Sequence, residues 1–315
     1  MSVVVVGGAG FLGRAVASAL AAAGTRVVSV GRTPRPGVTA ALDLARCPPE
    51  ELAALLEAHH ATAVVNAAGA VWTEDPETMR RANVAVVETI RDAAAALPWP
   101  VRVVQLGTVF EYAQPAPGRY LTELSPCEPA SDYGRTKLRA SEIVLAATRD
   151  GLLDGVVLRL TTCAGPGMPP SSLLGRVAGE LRRAALTGVP ARLRLAPLTA
   201  ERDFVDLRDA VSAVSAAITA PVAGAVLNIG SGRAVAVRQV VRRLVEASGV
   251  PARVDEAEVA AGRSAGVPWL ATRIGEAGRR LGWRPRHDVV SMVEAIWATV
   301  DPRASSWHRQ AEEVT

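Results

Sequence analysis

Tyr133 and Lys137 stand four residues apart in Ser131-Asp132-Tyr133-Gly134-Arg135-Thr136-Lys137, a spacing that puts a phenol and an ammonium on one helix face. A phenol with a pKa of about 10 is a poor base at neutral pH, and a nearby ammonium and a helix N-terminus favour its anion. The pair can therefore pass a proton to or from a substrate oxygen. Taken in isolation, the same spacing also fits an ordinary amphipathic helix. A second chemical signal lies at Gly7-Gly8-Ala9-Gly10-Phe11-Leu12-Gly13, directly after the β-branched run Val3 to Val6 and before a helical stretch from Arg14 to Ala23. Side chains must be absent where a chain turns tightly against a pyrophosphate, which then rests on the free N–H groups of the helix start. Gly7, Gly10, Phe11, Leu12 and Gly13 are thus expected to hold a dinucleotide, with a purely structural glycine turn as the plain alternative.

A nucleotide without a 2′-phosphate usually meets an acid about 20 residues beyond the glycines. That place is taken by Ser29-Val30-Gly31-Arg32-Thr33, which carries none. Arg32, with Arg35 close behind, offers a guanidinium fork for a 2′-phosphate and points to NADP(H); a solvated loop arginine is the other reading. Asp43-Leu44 can meet the adenine, and Asn66-Ala67-Ala68-Gly69 supplies small residues, Ala67, Ala68 and Gly69, at a strand end facing the cofactor. Lys137 can also donate to the nicotinamide ribose hydroxyls, which joins the two signals into one site.

Elements must deliver these groups to one place. Short β-branched runs at 3–6, 26–30, 62–66, 101–106 and 154–160 alternate with alanine-rich helical stretches, the pattern of a Rossmann-like, doubly wound parallel α/β sheet. After Gly165-Pro166-Gly167 the pattern loosens into helices at 171–186, 208–219, 236–248, 273–281 and 288–300, with strands near 192–195, 203–206 and 225–229. The expected organisation is an NADP-binding unit at 1–164, a smaller C-terminal substrate-binding lobe at 165–302 and a tail at 303–315. The strand at 225–229 is a candidate to return to the main sheet.

The 315 residues are 49% hydrophobic, mostly Ala and Val in runs too short for a membrane span, and Met1 leads into a strand without a secretory signal. A cytoplasmic protein is expected. Cys47, Cys127 and Cys163 lie far apart and lack metal-ligand spacing with the four histidines, so free thiols and no metal are expected. A net charge of +4 with arginines scattered among acids argues against nucleic acid and suits an anionic small molecule.

The spacing Gly7-x-x-Gly10-x-x-Gly13 and the Tyr133-x-x-x-Lys137 pair resemble the extended short-chain dehydrogenase/reductase family, the epimerase/dehydratase type. Strand 101–106 ends in Gly107-Thr108, which resembles the segment closing the family's fourth strand; Thr108 precedes Tyr133 by 25 residues, as in the family. The resemblance makes Thr108 a hydrogen-bond donor to the reacting carbonyl and Asn83, in Ala82-Asn83-Val84, a support for the site backbone. Segments Arg159 to Gly167, Arg202 to Asp206, Asn228 to Gly232 and Leu281 to Pro285 follow in family order. It also implies a nucleotide-sugar substrate between the lobes, with Arg202 on its diphosphate or, alternatively, in a structural salt bridge. Thr162, Ala164 and Ala271 depart from the family's substrate-side residues. A homodimer through the helices near 76–96 and 133–149 is implied as well, unless their alanine faces are buried within one subunit.

A 4,6-dehydratase needs an acid/base carboxyl pair immediately after the threonine, and Val109-Phe110 cannot move a proton. An epimerase reoxidises its own cofactor and has no need of an NADPH pool. The sequence therefore points to an NADP-dependent ketoreductase acting on a nucleotide-linked 4-keto-6-deoxyhexose, as in deoxysugar biosynthesis. The alternatives are an NAD-dependent nucleotide-sugar 4-epimerase and a non-catalytic NADP-binding sensor.

Overall fold

The computed structural model describes residues 1–70, 75–257 and 267–303. Its first part runs β1 (Ser2–Val6), α1 (Phe11–Ala22), β2 (Arg26–Gly31), β3 (Ala40–Ala41), α2 (Pro49–Ala58) and β4 (Ala63–Asn66). There follow α3 (Pro76–Arg80), a π-helical turn (Arg81–Ala85), α4 (Val86–Ala95), β5 (Arg102–Thr108), α5 (Asp132–Arg149) and β6 (Asp154–Leu160). The rest comprises β7 (Thr162–Ala164), α6 (Leu173–Thr187), β8 (Ala191–Leu195), β9 (Glu201–Asp206), α7 (Leu207–Thr219), β10 (Val226–Ile229) and β11 (Ala234–Ala236). It closes with α8 (Val237–Ser248), β12 (Ala252–Glu256), β13 (Trp269–Leu270), α9 (Gly275–Leu281) and α10 (Val289–Ala298).

Seven strands form the main sheet in the order β10-β6-β5-β4-β1-β2-β3. Every pairing within it is parallel. Strand β1 is buried along its whole length because helices cover both faces, which is why it reads as an unbroken valine run. Alternation splits the run: Val3 and Val5 pack with α1 and α7, through Val16, Leu20 and Val214. Val4 and Val6 pack on the other face with Leu52, Ile90 and Val144 from α2, α4 and α5. The chain order reverses between β1 and β4, and in such sheets the crevice beyond the strand ends at that point receives the ligand.

Three elements beyond residue 164 belong to the layers of the first unit: β10 pairs with β6, α7 packs over α1 and the sheet, and α9 buries Ala277 in the same core. The remaining lobe has its own core, in which Leu181, Leu193, Leu195, Leu244, Met292 and Ile296 are buried around the parallel β8–β12 pair. Asp203, fully buried on β9, knits this lobe to the end of β10. Its carboxylate accepts from Ser231 N (2.6 Å) and Oγ (2.7 Å), Gly232 N (3.1 Å) and Thr272 Oγ1 (3.2 Å).

The tail expected at 303–315 lies outside the described residues from 304 on. Among the described residues no helix is long and apolar enough to cross a membrane, and no three His, Cys, Asp or Glu side chains cluster to hold a metal. Cys47, Cys127 and Cys163 are free thiols.

Candidate active site

The glycine turn is shaped by contacts that a side chain would destroy. Gly7 has φ +79, and a Cβ on it would lie 2.6 Å from Ala68 N. On Gly13 a Cβ would lie 2.2 Å from the Gly7 carbonyl oxygen. Gly7 N and Gly8 N both donate to Val30 O, at 2.9 and 3.0 Å, so the turn is pinned to the end of β2. Helix α1 starts at Phe11, after Gly10, with no side chain capping it. Its first N–H groups, on Phe11, Leu12 and Gly13, are thereby left for an anion, and the turn fits a pyrophosphate.

The end of β4 closes against this turn. Asn66 ties itself to β5 by donating to Gln105 Oε1 (2.8 Å) and accepts from Ala68 N (3.1 Å), which fixes Ala67 and Ala68 beside Gly7. Gly69 is then met by Asn83, whose Oδ1 would lie 2.8 Å from a Cβ there. Asn83 sits in the π-helical turn, a distortion common at functional sites. Its amide accepts from Ala70 N (3.0 Å) and donates to Ala70 O (3.2 Å) and to Thr136 Oγ1 (3.0 Å). The turn thus joins the cofactor-side strand end to α5.

Helix α5 begins where Ser131 accepts from Gly134 N (3.1 Å), so Tyr133 and Lys137 project from its first turns. Tyr133 is half-buried and shares a hydrogen bond with the Thr108 side chain at the end of β5; the Phe110 ring packs edge-on against it, centroids 6.3 Å apart. Burial pushes the Tyr133 phenol up to about 12, opposed by the Thr108 bond and reinforced by the charge of Glu111. Lys137 is buried beside Gly69 and donates to the Leu106 carbonyl; burial lowers its pKa, and Glu111 works against that. Thr108, Tyr133 and Lys137, 29 residues apart at the extremes, are thus brought to the end of β5, Tyr133 on the Thr108 side chain and Lys137 on the Leu106 carbonyl.

The adenosine side is looser. Arg32 and Arg35 are exposed just beyond β2, and neither side chain makes an ion pair or hydrogen bond among the described residues. Leu44 is buried, and its carbonyl accepts from Thr89 Oγ1 (2.8 Å). The Asp43 carboxylate is partly used locally: it accepts from Ala45 N (3.3 Å) and lies 3.8 Å from Arg46 Nε. Arg202 is buried on β9 and donates to the carbonyls of Glu201 (2.8 Å) and Val267 (2.5 Å). Burial lowers its pKa.

Sequence reasoning missed two residues at the centre of this site, Glu111 and Arg159, which form a buried ion pair at 2.8 Å. A local signal existed. Thr108-Val109-Phe110-Glu111 has the spacing of a capping box, and Glu111 does bond back to Thr108 N, at 2.8 Å.

This fold and site define a class. The model of the NAD dependent epimerase/dehydratase family matches residues 3–230, and the chain belongs to that family, of extended short-chain dehydrogenase/reductase type. It is similar to the dTDP-6-deoxy-L-talose 4-dehydrogenase (NAD(P)(+)) of Kitasatospora kifunensis, with 41% identity over 299 residues and 94% of each chain covered. The solved structure of MoeE5 in complex with UDP-glucose and NAD matches with a TM-score of 0.78 and 28% identity, covering 99% of this chain and 100% of that one. RMD from Pseudomonas aeruginosa, solved with NADPH, shares the fold with a TM-score of 0.83 at 23% identity, covering 96% and 98%.

Proposed function

We propose that the protein reduces the C4 ketone of a nucleotide-linked 4-keto-6-deoxyhexose, using NADPH. The observation that carries this reading is the paired Thr108 and Tyr133 hydroxyls at the end of β5, with Lys137 alongside and no carboxyl group at 109 or 110. Two hydroxyls that bond to each other can also turn to one carbonyl oxygen. In this reading the dinucleotide, held by the glycine turn, Ala67 to Gly69 and Lys137, supplies the hydride. Tyr133 gives its proton to the developing alkoxide, Thr108 donates a hydrogen bond to the same oxygen, and Lys137 holds the ribose.

The state of Tyr133 suits this direction. Desolvation keeps it a neutral phenol, and reduction needs a proton donor. A 4-dehydrogenase, the activity named for the Kitasatospora relative, is the same chemistry run in reverse. The preference for NADPH rests on Arg32 and Arg35, two exposed guanidinium groups that have no ion-pair or hydrogen-bond partner among the described residues, at the position where a 2′-phosphate would lie. Arg202 is the proposed ligand of the substrate diphosphate, and the helices around α4 and α5 are the proposed dimer contact.

The test is NADPH consumption by the purified protein with a panel of nucleotide-linked 4-keto-6-deoxyhexoses. No consumption with any of them overturns the reading. Interconversion of UDP-sugars without added cofactor would establish an epimerase instead, and binding of NADP without turnover of either substrate class a sensor.

A further inference from the structure

Glu111 is fully buried, and both of its oxygens receive N–H donors: Oε1 from Thr108 N (2.8 Å) and Oε2 from Arg159 Nε (2.8 Å). That is the bonding pattern of an ionised carboxylate. The geometry depends on Gly107. Gly107 and Arg159 face each other across β5 and β6, and a Cβ on Gly107 would lie 2.5 Å from Glu111 Oε1 and 3.4 Å from Arg159 Cγ. The missing side chain is the space into which the carboxylate folds back. Arg159 is fixed in turn: its guanidinium lies over the Tyr112 ring, 4.3 Å from the centroid, and the Tyr112 hydroxyl donates to Asn228 Oδ1 (2.9 Å).

A buried ion pair with this much scaffolding is a costly feature, because desolvating two charges offsets most of their attraction. Its position explains its use. Glu111 grips the backbone of Thr108, whose side chain meets Tyr133, and its charge also acts on Lys137. Among the described residues, Glu111 from the turn after β5 is the charged group that acts on both Lys137 and Tyr133, while Arg159 from β6 holds the other side of Glu111 and lies over Tyr112.

Resting on the ketoreductase reading, we propose that the Glu111–Arg159 pair is the positioning element of this site, locking Thr108 against Tyr133 and setting one negative charge behind the Tyr133–Lys137 couple. A neutral phenol beside an ammonium is the state that a ketone reductase needs before hydride arrives. Glu111 supplies the countercharge for that ammonium and opposes the phenolate; burial raises the Glu111 pKa, and the Arg159 charge and the Thr108 N–H work against that rise, in line with its two-donor bonding. Removing the negative charge would take away the interaction that raises the pKa of both groups, so Lys137 and Tyr133 would each give up a proton more readily.

The experiment compares wild type with Glu111→Gln and with the double variant Glu111→Gln/Arg159→Met. The double variant removes both charges together and keeps the test open should the single variant not fold. Two readouts are taken: the pH profile of kcat/KM for ketone reduction, and the tyrosinate absorbance of the complex with oxidised cofactor, with the matching Tyr133→Phe protein subtracted. The expected result is a fall of about one pH unit or more in both the alkaline limb and the tyrosinate midpoint, since Glu111 is the charge that bears on both groups. Glu111→Asp, which keeps the charge but shortens the reach to Thr108, should lower kcat without moving the limb. A folded Glu111→Gln or double variant whose tyrosinate midpoint stays at the wild-type value overturns the proposal. Because that midpoint needs only bound cofactor, it separates failure of this proposal from failure of the substrate reading.

Discussion

Asn83 Nδ2 donates to Thr136 Oγ1 at 3.0 Å, one residue before Lys137, while the same amide holds both backbone groups of Ala70. One buried side chain thus couples the strand end on the cofactor side to the helix that carries Tyr133 and Lys137. Asn83→Ala should leave the Ala70 N–H and the Thr136 hydroxyl short of partners, costing about 2 to 3 kcal/mol of stability. Cofactor affinity should drop along with stability. A thermal melt together with calorimetric titration checks this, and a variant with unchanged melting and cofactor affinity would show that the coupling is dispensable.

The glycines divide into those the site needs and those it does not. Gly13→Ala should abolish dinucleotide binding, because its Cβ would meet the Gly7 carbonyl oxygen at 2.2 Å and push the turn open. Gly179→Ala, within α6 where nothing lies within 4 Å of the added Cβ, should instead stabilise the chain by about 0.5 to 1 kcal/mol. Running both through one melting and cofactor-binding series provides an internal control.

Arg32→Ala should weaken NADPH binding about ten- to hundredfold and leave NADH binding unchanged, the loss expected when one charge-assisted fork to a phosphate disappears. Equal affinity of wild type and variant for NADPH would return Arg32 to an ordinary solvated loop residue.

Tyr133 gives the folded chain a pH dependence of known sign. Its pKa stands at about 12 against a usual value of 10.0, because burial disfavours the anion. Between those values the unfolded chain has released this proton and the folded chain has not, so stability falls as pH rises through the window. The melting temperature of Tyr133→Phe should therefore decline less steeply from pH 10 to 12 than that of wild type. Parallel declines would mean that the phenol is no less solvated than in the unfolded chain.

Local pattern alone determined the glycine turn, the Tyr133–Lys137 pair and the strands β1, β2, β4, β5 and β6. A strand buried on both faces reads as a β-branched run, and a helix pair four apart needs no partner to be recognised. Strands β3, β7, β11 and β13 have only two or three residues, too few to show a period, and β12 leaves much of its length exposed. The resemblance to a family supplied what period could not, namely Thr108, Asn83 and Arg202. Tertiary structure alone decided which distant residues share a site. Glu111 and Arg159 are 48 positions apart, and Asn83 and Thr136 are 53 apart. Parallel pairing of β5 with β6, and the docking of the π-helical turn on α5, bring them within hydrogen-bonding reach. The capping-box spacing from Thr108 to Glu111 was legible; that its second carboxylate oxygen would find a buried guanidinium was not, because strand register is settled by packing across the whole sheet.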